Sequence, residues 1–200
     1  MALTKISNNS LSAISSLPAS IPTGALTLLS TQTASSSASI SFTSGIDSTY
    51  DSYVFKFIDI NPATDNVQFQ FNGSTDGGSN YNVTKTTTFF SPFHLENDTN
   101  SGLDYDTPQD LAQSTASQRI SYNTGNDADT SIGGTLQLFN PSSTTFVKHF
   151  ISNNADKSYN DATGNRFIAG YFNTTSAVDA IKFEMSSGNF DGIIKMYGVS

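Results

Sequence analysis

The sequence predicts an all-β protein built as an antiparallel sandwich or barrel of about ten strands, and three observations carry that reading. From about residue 25 onward, apolar side chains recur with a period of two rather than 3.6. Clusters of Gly, Pro, Asn and Asp cut the chain into short runs, without a βαβ rhythm or an internal repeat. Ser, Thr and Asn make up roughly a third of the residues, well above ordinary usage. Ser and Asn compete for backbone hydrogen bonds in helices, whereas Thr, Phe, Tyr and Ile suit a pleated surface.

Residues 1–24 stand apart. Leu3, Ile6, Leu11, Ile14 and Leu17 recur every three to five positions among Ser and Asn, and Pro18 and Pro22 rule out a long helix. Two readings fit the pattern, a floppy leader and an extended arm whose apolar side chains dock on a neighbouring subunit and order on assembly, and the arm is the one carried forward. The stretch has no continuous apolar run, so it does not read as a secretory signal.

Residues 25–200 read as a single sandwich domain. "ALTLLSTQT" and "ASISFTS" are the first strands, with Ile40 and Phe42 on one face. In "YDSYVFKFIDINP", Tyr53, Phe55 and Phe57 alternate against Val54, Lys56 and Ile58 until Pro62 ends the run. "VQFQFNG" has the clearest half-buried pattern, with Val67, Phe69 and Phe71 inward and Gln68 and Gln70 outward. "GSTDGGSNYN" supplies glycines for positive φ in a turn, and "VTKTTTFF" is the next strand.

A polar region from Ser91 to about Gln118 is too long for an ordinary connection. Inside it, "TPQDLAQSTASQ" reads as a short helix capped by Thr107, with Pro108 at its first position. "RISYN", "GGTLQLFNP", "TTFVKHFIS", "RFIAGYFN" and "AVDAIKFEM" follow as strands. In the last run, "GIIKMYG", Ile194 and Met196 share one face, which predicts a core strand pairing beside an early one.

Composition excludes several functions. The net charge is −8 and the few Lys and Arg residues are scattered, so no basic surface exists for nucleic acid. Without cysteine there are no disulfides, thiolate metal sites or cysteine nucleophiles. No apolar run is long enough for membrane insertion through a helix. The chain carries no P-loop, G-x-S-x-G, S-x-x-K or H-E-x-x-H pattern, so no cofactor, metal or catalytic residue is assigned.

Candidate binding residues come from the loops. The Asp/Asn-rich stretches 96–106, 123–131 and 153–165 offer oxygens for calcium, but none has the spacing of a calcium loop and turn chemistry accounts for them. Tyr105, Tyr122 and Tyr159 present an apolar face with a polar tip among hydroxyls and amides, a combination suited to a sugar or a polar protein surface, or else to covering the end of the sandwich core; Tyr105 and Tyr159 are carried forward as binding candidates. His94 sits beside Glu96 in "SPFHLEND", and it joins Tyr105 and Tyr159 as a candidate for glycan or partner binding. His149 reads as a structural strand histidine.

The segment "TSGIDSTYDSYVFKFIDINPATDNVQFQFNGSTDGGSNYN", through Tyr50, Tyr53, Asp76, Gly77, Gly78 and Tyr81, resembles small virion-associated proteins of marine tailed phages. The final strand with Phe190, Gly192 and Gly198, and the Asn140-Pro141 turn, are similar too. The resemblance implies a jelly-roll-like, non-enzymatic module located in the virion, of decoration or tail-fibre type. It would be a homo-oligomer, with a trimer favoured, assembled through its N-terminal arm and sheet edges and in contact with other virion proteins. The alternative is an adhesin or receptor-binding module that contacts host-surface glycans.

Overall fold

The computed structural model describes residues 26–200, so the arm and its five apolar contact candidates lie outside the described residues. The strands are β1 (Thr27–Ser37), β2 (Ser39–Phe42), β3 (Ser52–Pro62), β4 (Phe69–Ser74), β5 (Lys85–Leu95) and β6 (Ser101–Tyr105). They continue as β7 (Gln118–Arg119), β8 (Ile132–Phe139), β9 (Lys148–Lys157), β10 (Ala162–Phe172), β11 (Ala180–Met185) and β12 (Phe190–Val199). An eight-stranded sheet in the order β1-β12-β3-β8-β9-β10-β5-β6 packs on a four-stranded sheet in the order β2-β11-β4-β7. All pairings are antiparallel.

Eight of these strands form a nested set. β1 pairs with β12, β2 with β11, β3 with β8 and β4 with β7, alternating between the two sheets. That nesting is a jelly roll. The other four strands are two inserted hairpins, β5–β6 and β9–β10. They join through the β5–β10 pairing and widen one sheet well past the other.

Aromatic packing between the inner faces holds the layers together. Phe183 of β11 lies against Phe42, Phe55, Phe57, Phe69 and Phe71, with ring centroids 5.1–6.3 Å apart. Phe150 and Phe172 carry this packing outward from Phe71 beneath the inserted hairpins. Offset and edge-on ring pairs add to the hydrophobic gain from burying such large side chains. At the β3–β12 pairing both strands carry an irregularity, and Gly192 adopts a φ of 136° there. A Cβ at this position would stand 2.8 Å from the Asp59 carbonyl oxygen, so only glycine fits.

The inward sets expected for β3, β4 and β12 are the observed ones: Tyr53, Phe55 and Phe57; Val67, Phe69 and Phe71; Ile194 and Met196 are all buried. Two expectations are corrected. Residues 107–118 form turns and bends, and no helix occurs among the described residues. The backbone groups a helix would use are taken by β5 instead. Thr87 N–H donates to the Leu111 carbonyl at 2.9 Å, and Lys85 and Ser114 exchange a pair of backbone bonds. The second concerns the polar region read as a connection, which contains β6, the one of the twelve strands not among the runs named above.

Candidate binding cleft

The widened sheet overhangs the narrower one. Beyond the two-residue β7, the inner face of β10, β5 and β6 is bordered by connecting segments rather than by another strand. A cleft of about 470 Å³ opens there, between the two inserted hairpins and residues around Asp106 and Tyr122. Alternation aims the side chains. Ser91 and Phe93 of β5 lie opposite Asp104 and Gly102 of β6, so all four positions face inward, while Pro92 and Leu103 face out.

Arg166 of β10 and Asp156 of β9 form the cleft's fixed base. The guanidinium donates from Nε to the carboxylate at 2.9 Å and from Nη2 at 2.6 Å, and both residues are buried. Tyr122 N–H donates to the same carboxylate at 2.8 Å, and the guanidinium carbon lies 5.1 Å from the centre of the Tyr122 ring. Such a forked, charge-assisted pair is strong, and the Tyr122 N–H adds a further donor to its carboxylate. The backbone of β10 makes room for it at Gly164, where a Cβ would overlap the guanidinium.

The charge left in the cleft is negative. Arg166 is neutralised by Asp156, whereas Asp104 and Asp106 carry carboxylates without a side-chain hydrogen bond among the described residues. Burial raises the Asp106 carboxyl above its usual range; the Arg166 charge opposes this and the Asp104 charge adds to it. At the rim, the Tyr105 hydroxyl donates to Asp110 at 2.7 Å, which fixes the ring and raises the phenol's pKa.

Protein-family models, curated proteins and solved structures contain no match to the chain. The cleft's meaning therefore rests on its own chemistry.

Of the candidates, Tyr105 alone lines the cleft. His94 lies on strand β5 rather than in a loop, and its Nε2 is 3.0 Å from an Asp98 carboxylate oxygen. Tyr159 occupies the β9–β10 turn, where its N–H donates to the Asn123 carbonyl at 2.9 Å. Its neighbours Ser158 and Asn160 line the cleft while its own side chain does not. His149 points outward from β9 beside Tyr171, with ring centroids 6.0 Å apart, so it is a surface residue rather than an interior one.

Two of the three acidic loops are partly strand. Residues 153–157 extend β9, 162–165 begin β10, and 101–105 are β6. Among the described residues no group of three His, Cys, Asp or Glu side chains is placed to hold a metal ion. Ser91, Asp104, Asp106 and Arg166 were not singled out as binding residues from the sequence. The usable signal was the alternation "LDYD" at 103–106, which sends Asp104 to the face opposite Leu103 and Tyr105.

Proposed function

We propose that this chain is a non-enzymatic structural protein of a tailed-phage virion, a surface-exposed decoration or fibre-type module. Residues 1–24, the sheet edges and the exposed outer sheet face join it to other copies and to neighbouring virion proteins. One observation carries the assembly reading: the eight-stranded sheet has an outer face that no described residue covers. Across it, Leu28, Tyr197, Val54, Gln137, Ile151 and Ala169 lie in one continuous row. Leu28 and Ile151 are more than half exposed. Exposed apolar side chains on an uncovered sheet face suit an interaction surface. Immunogold electron microscopy on purified particles, with antibody to residues 38–200, tests the location. Label on capsid or tail is expected, and particles without label refute the virion reading. A chain lacking residues 1–24 is expected to fold but fail to enter particles; normal incorporation would refute the role of the arm.

A second reading, attachment to a host-surface glycan, is favoured by the cleft. Aromatic rings and unpaired polar groups converge there on the inserted hairpins, away from the row of apolar residues on the outer face. Binding elements carried on insertions to a rigid scaffold are a common arrangement.

A further inference from the structure

We infer that the cleft between the inserted hairpins binds a neutral saccharide through Ser91, Asp104, Asp106, Tyr105 and Tyr122. This rests on the attachment reading and narrows it to a site and a ligand class.

The first argument is unspent hydrogen-bonding capacity. The Ser91 side chain is 4% exposed and lines the cleft, yet its hydroxyl has no hydrogen bond among the described residues. The Asp104 and Asp106 carboxylates and the Tyr122 hydroxyl are also without side-chain partners there. Ser91 is the buried member, Asp106 and Tyr122 are half-buried and Asp104 is exposed, and together they line one open space with hydrogen-bonding groups that fit a ligand rich in donors. Carboxylates accept and do not donate, and vicinal sugar hydroxyls supply donors to them.

The second argument is charge. With Arg166 held by Asp156, the free carboxylates repel phosphate, sialic acid and uronic acids. Keeping the Asp106 carboxylate partly buried without a partner opposes folding, which is the cost expected of a group retained for binding.

The third argument separates a sugar from a cationic peptide, which the carboxylates alone would also accept. Phe93 and Tyr122 line the space and Tyr105, whose register position belongs to the outer face of β6, reaches it at the rim; aromatic rings of this kind stack on the C–H surface of a pyranose. The bond to Asp110 holds Tyr105 in place before the ligand arrives, which lowers the entropic cost of binding. A cleft of about 470 Å³ has room for a short oligosaccharide.

The test is isothermal titration calorimetry on the full chain. The probes are neutral gluco-, manno- and galacto-oligosaccharides, uronic-acid oligomers and an oligolysine peptide. Binding of at least one neutral oligosaccharide is expected, with the uronic acids and oligolysine silent. Tyr105→Ala and Asp104→Ala, both at exposed positions, should each weaken it about tenfold or more with little change in Tm. His94→Ala and Tyr159→Ala, which lie outside the cleft, should leave affinity unchanged. Binding of the uronic acids alone would overturn the neutral class while leaving attachment intact. Oligolysine binding without sugar binding, or no binding by any probe, would overturn both. Neutral-sugar binding untouched by both cleft variants would overturn the site.

Discussion

Lys85 and Lys148 point inward from β5 and β9 and are both fully buried. Lys85 Nζ donates to the Ala116 carbonyl at 2.6 Å, and it lies 5.8 Å from the centre of the Phe172 ring. Lys148 Nζ donates to the carbonyls of Phe146 and Thr174. Neither has a carboxylate partner among the described residues, so burial lowers both amines, Lys85 to about 7. The consequence for stability has a definite sign. The ordinary lysine value is 10.5, so between pH 7 and 10.5 the unfolded chain holds a proton at Lys85 that the folded chain releases. Stability contributed by this residue therefore rises with pH through that window, and the full cost of the buried charge is present below it. Lys85→Met keeps the length and removes the charge. It should raise Tm at pH 6, with the gain shrinking toward pH 10, as followed by circular dichroism. An equal or smaller Tm at pH 6 would mean that the Ala116 hydrogen bond outweighs desolvation.

Among elements, β12 shows how one strand holds the jelly roll closed. It lies between β1 and β3, in register with Tyr197 opposite both Leu28 and Val54, and it buries Phe190, Ile194 and Met196. Removing residues 190–200 leaves β1 without its pairing partner, takes one of the two neighbours of β3 and opens the aromatic core at Phe69, whose ring is 5.6 Å from Phe190. The truncated chain should show no cooperative thermal transition by circular dichroism or calorimetry; a two-state melt would contradict this role. Strands of this kind were legible in the sequence because one face is wet and the other dry, so Ile194 and Met196 announce themselves by alternation. Residues 101–105 did so only weakly. Every residue of β6 is exposed, and in an edge strand with neither face buried the alternation shrinks to Leu103 and Tyr105 among polar neighbours. The same reason hides the cleft. Its width comes from the mismatch between an eight-stranded and a four-stranded sheet, which depends on the β5–β10 pairing, and those strands are far apart in sequence. Tyr105 was readable as a binding type by composition, but Arg166 lies in a strand pattern that gives no hint of Asp156 as its partner.

At the scale of the whole molecule, the jelly roll has two unlike sides. The cleft is on the inner face of the overhang, and the apolar row crosses the outer face of the same sheet. A second row beside it runs from Thr31 through Lys195, Lys56, Thr135, Asn153, Phe167 and Phe90 to Tyr105. Lys56 and Lys195 stand directly opposite each other, unpaired with any carboxylate among the described residues, and Lys56 Nζ lies 5.1 Å from the centre of the Tyr197 ring. Like charges set opposite across strands are unfavourable in isolation. In a chain whose net charge is −8, this positive spot is complementary to the acidic surface of another copy. Self-association through the outer face would also bury Phe90 and Ile151, which are 41% and 54% exposed in the single chain. Adding a charge to each should break the association without disturbing the core, because both side chains point away from it. Light scattering after size exclusion is expected to find an oligomer for the unaltered chain, a trimer being the favoured number. The Phe90→Asp, Ile151→Asp double variant should run as a monomer with nearly the same Tm. A monomeric unaltered chain at high concentration, or a double variant that keeps the oligomer mass, would remove the outer face from the assembly and leave residues 1–24 and the sheet edges to carry it.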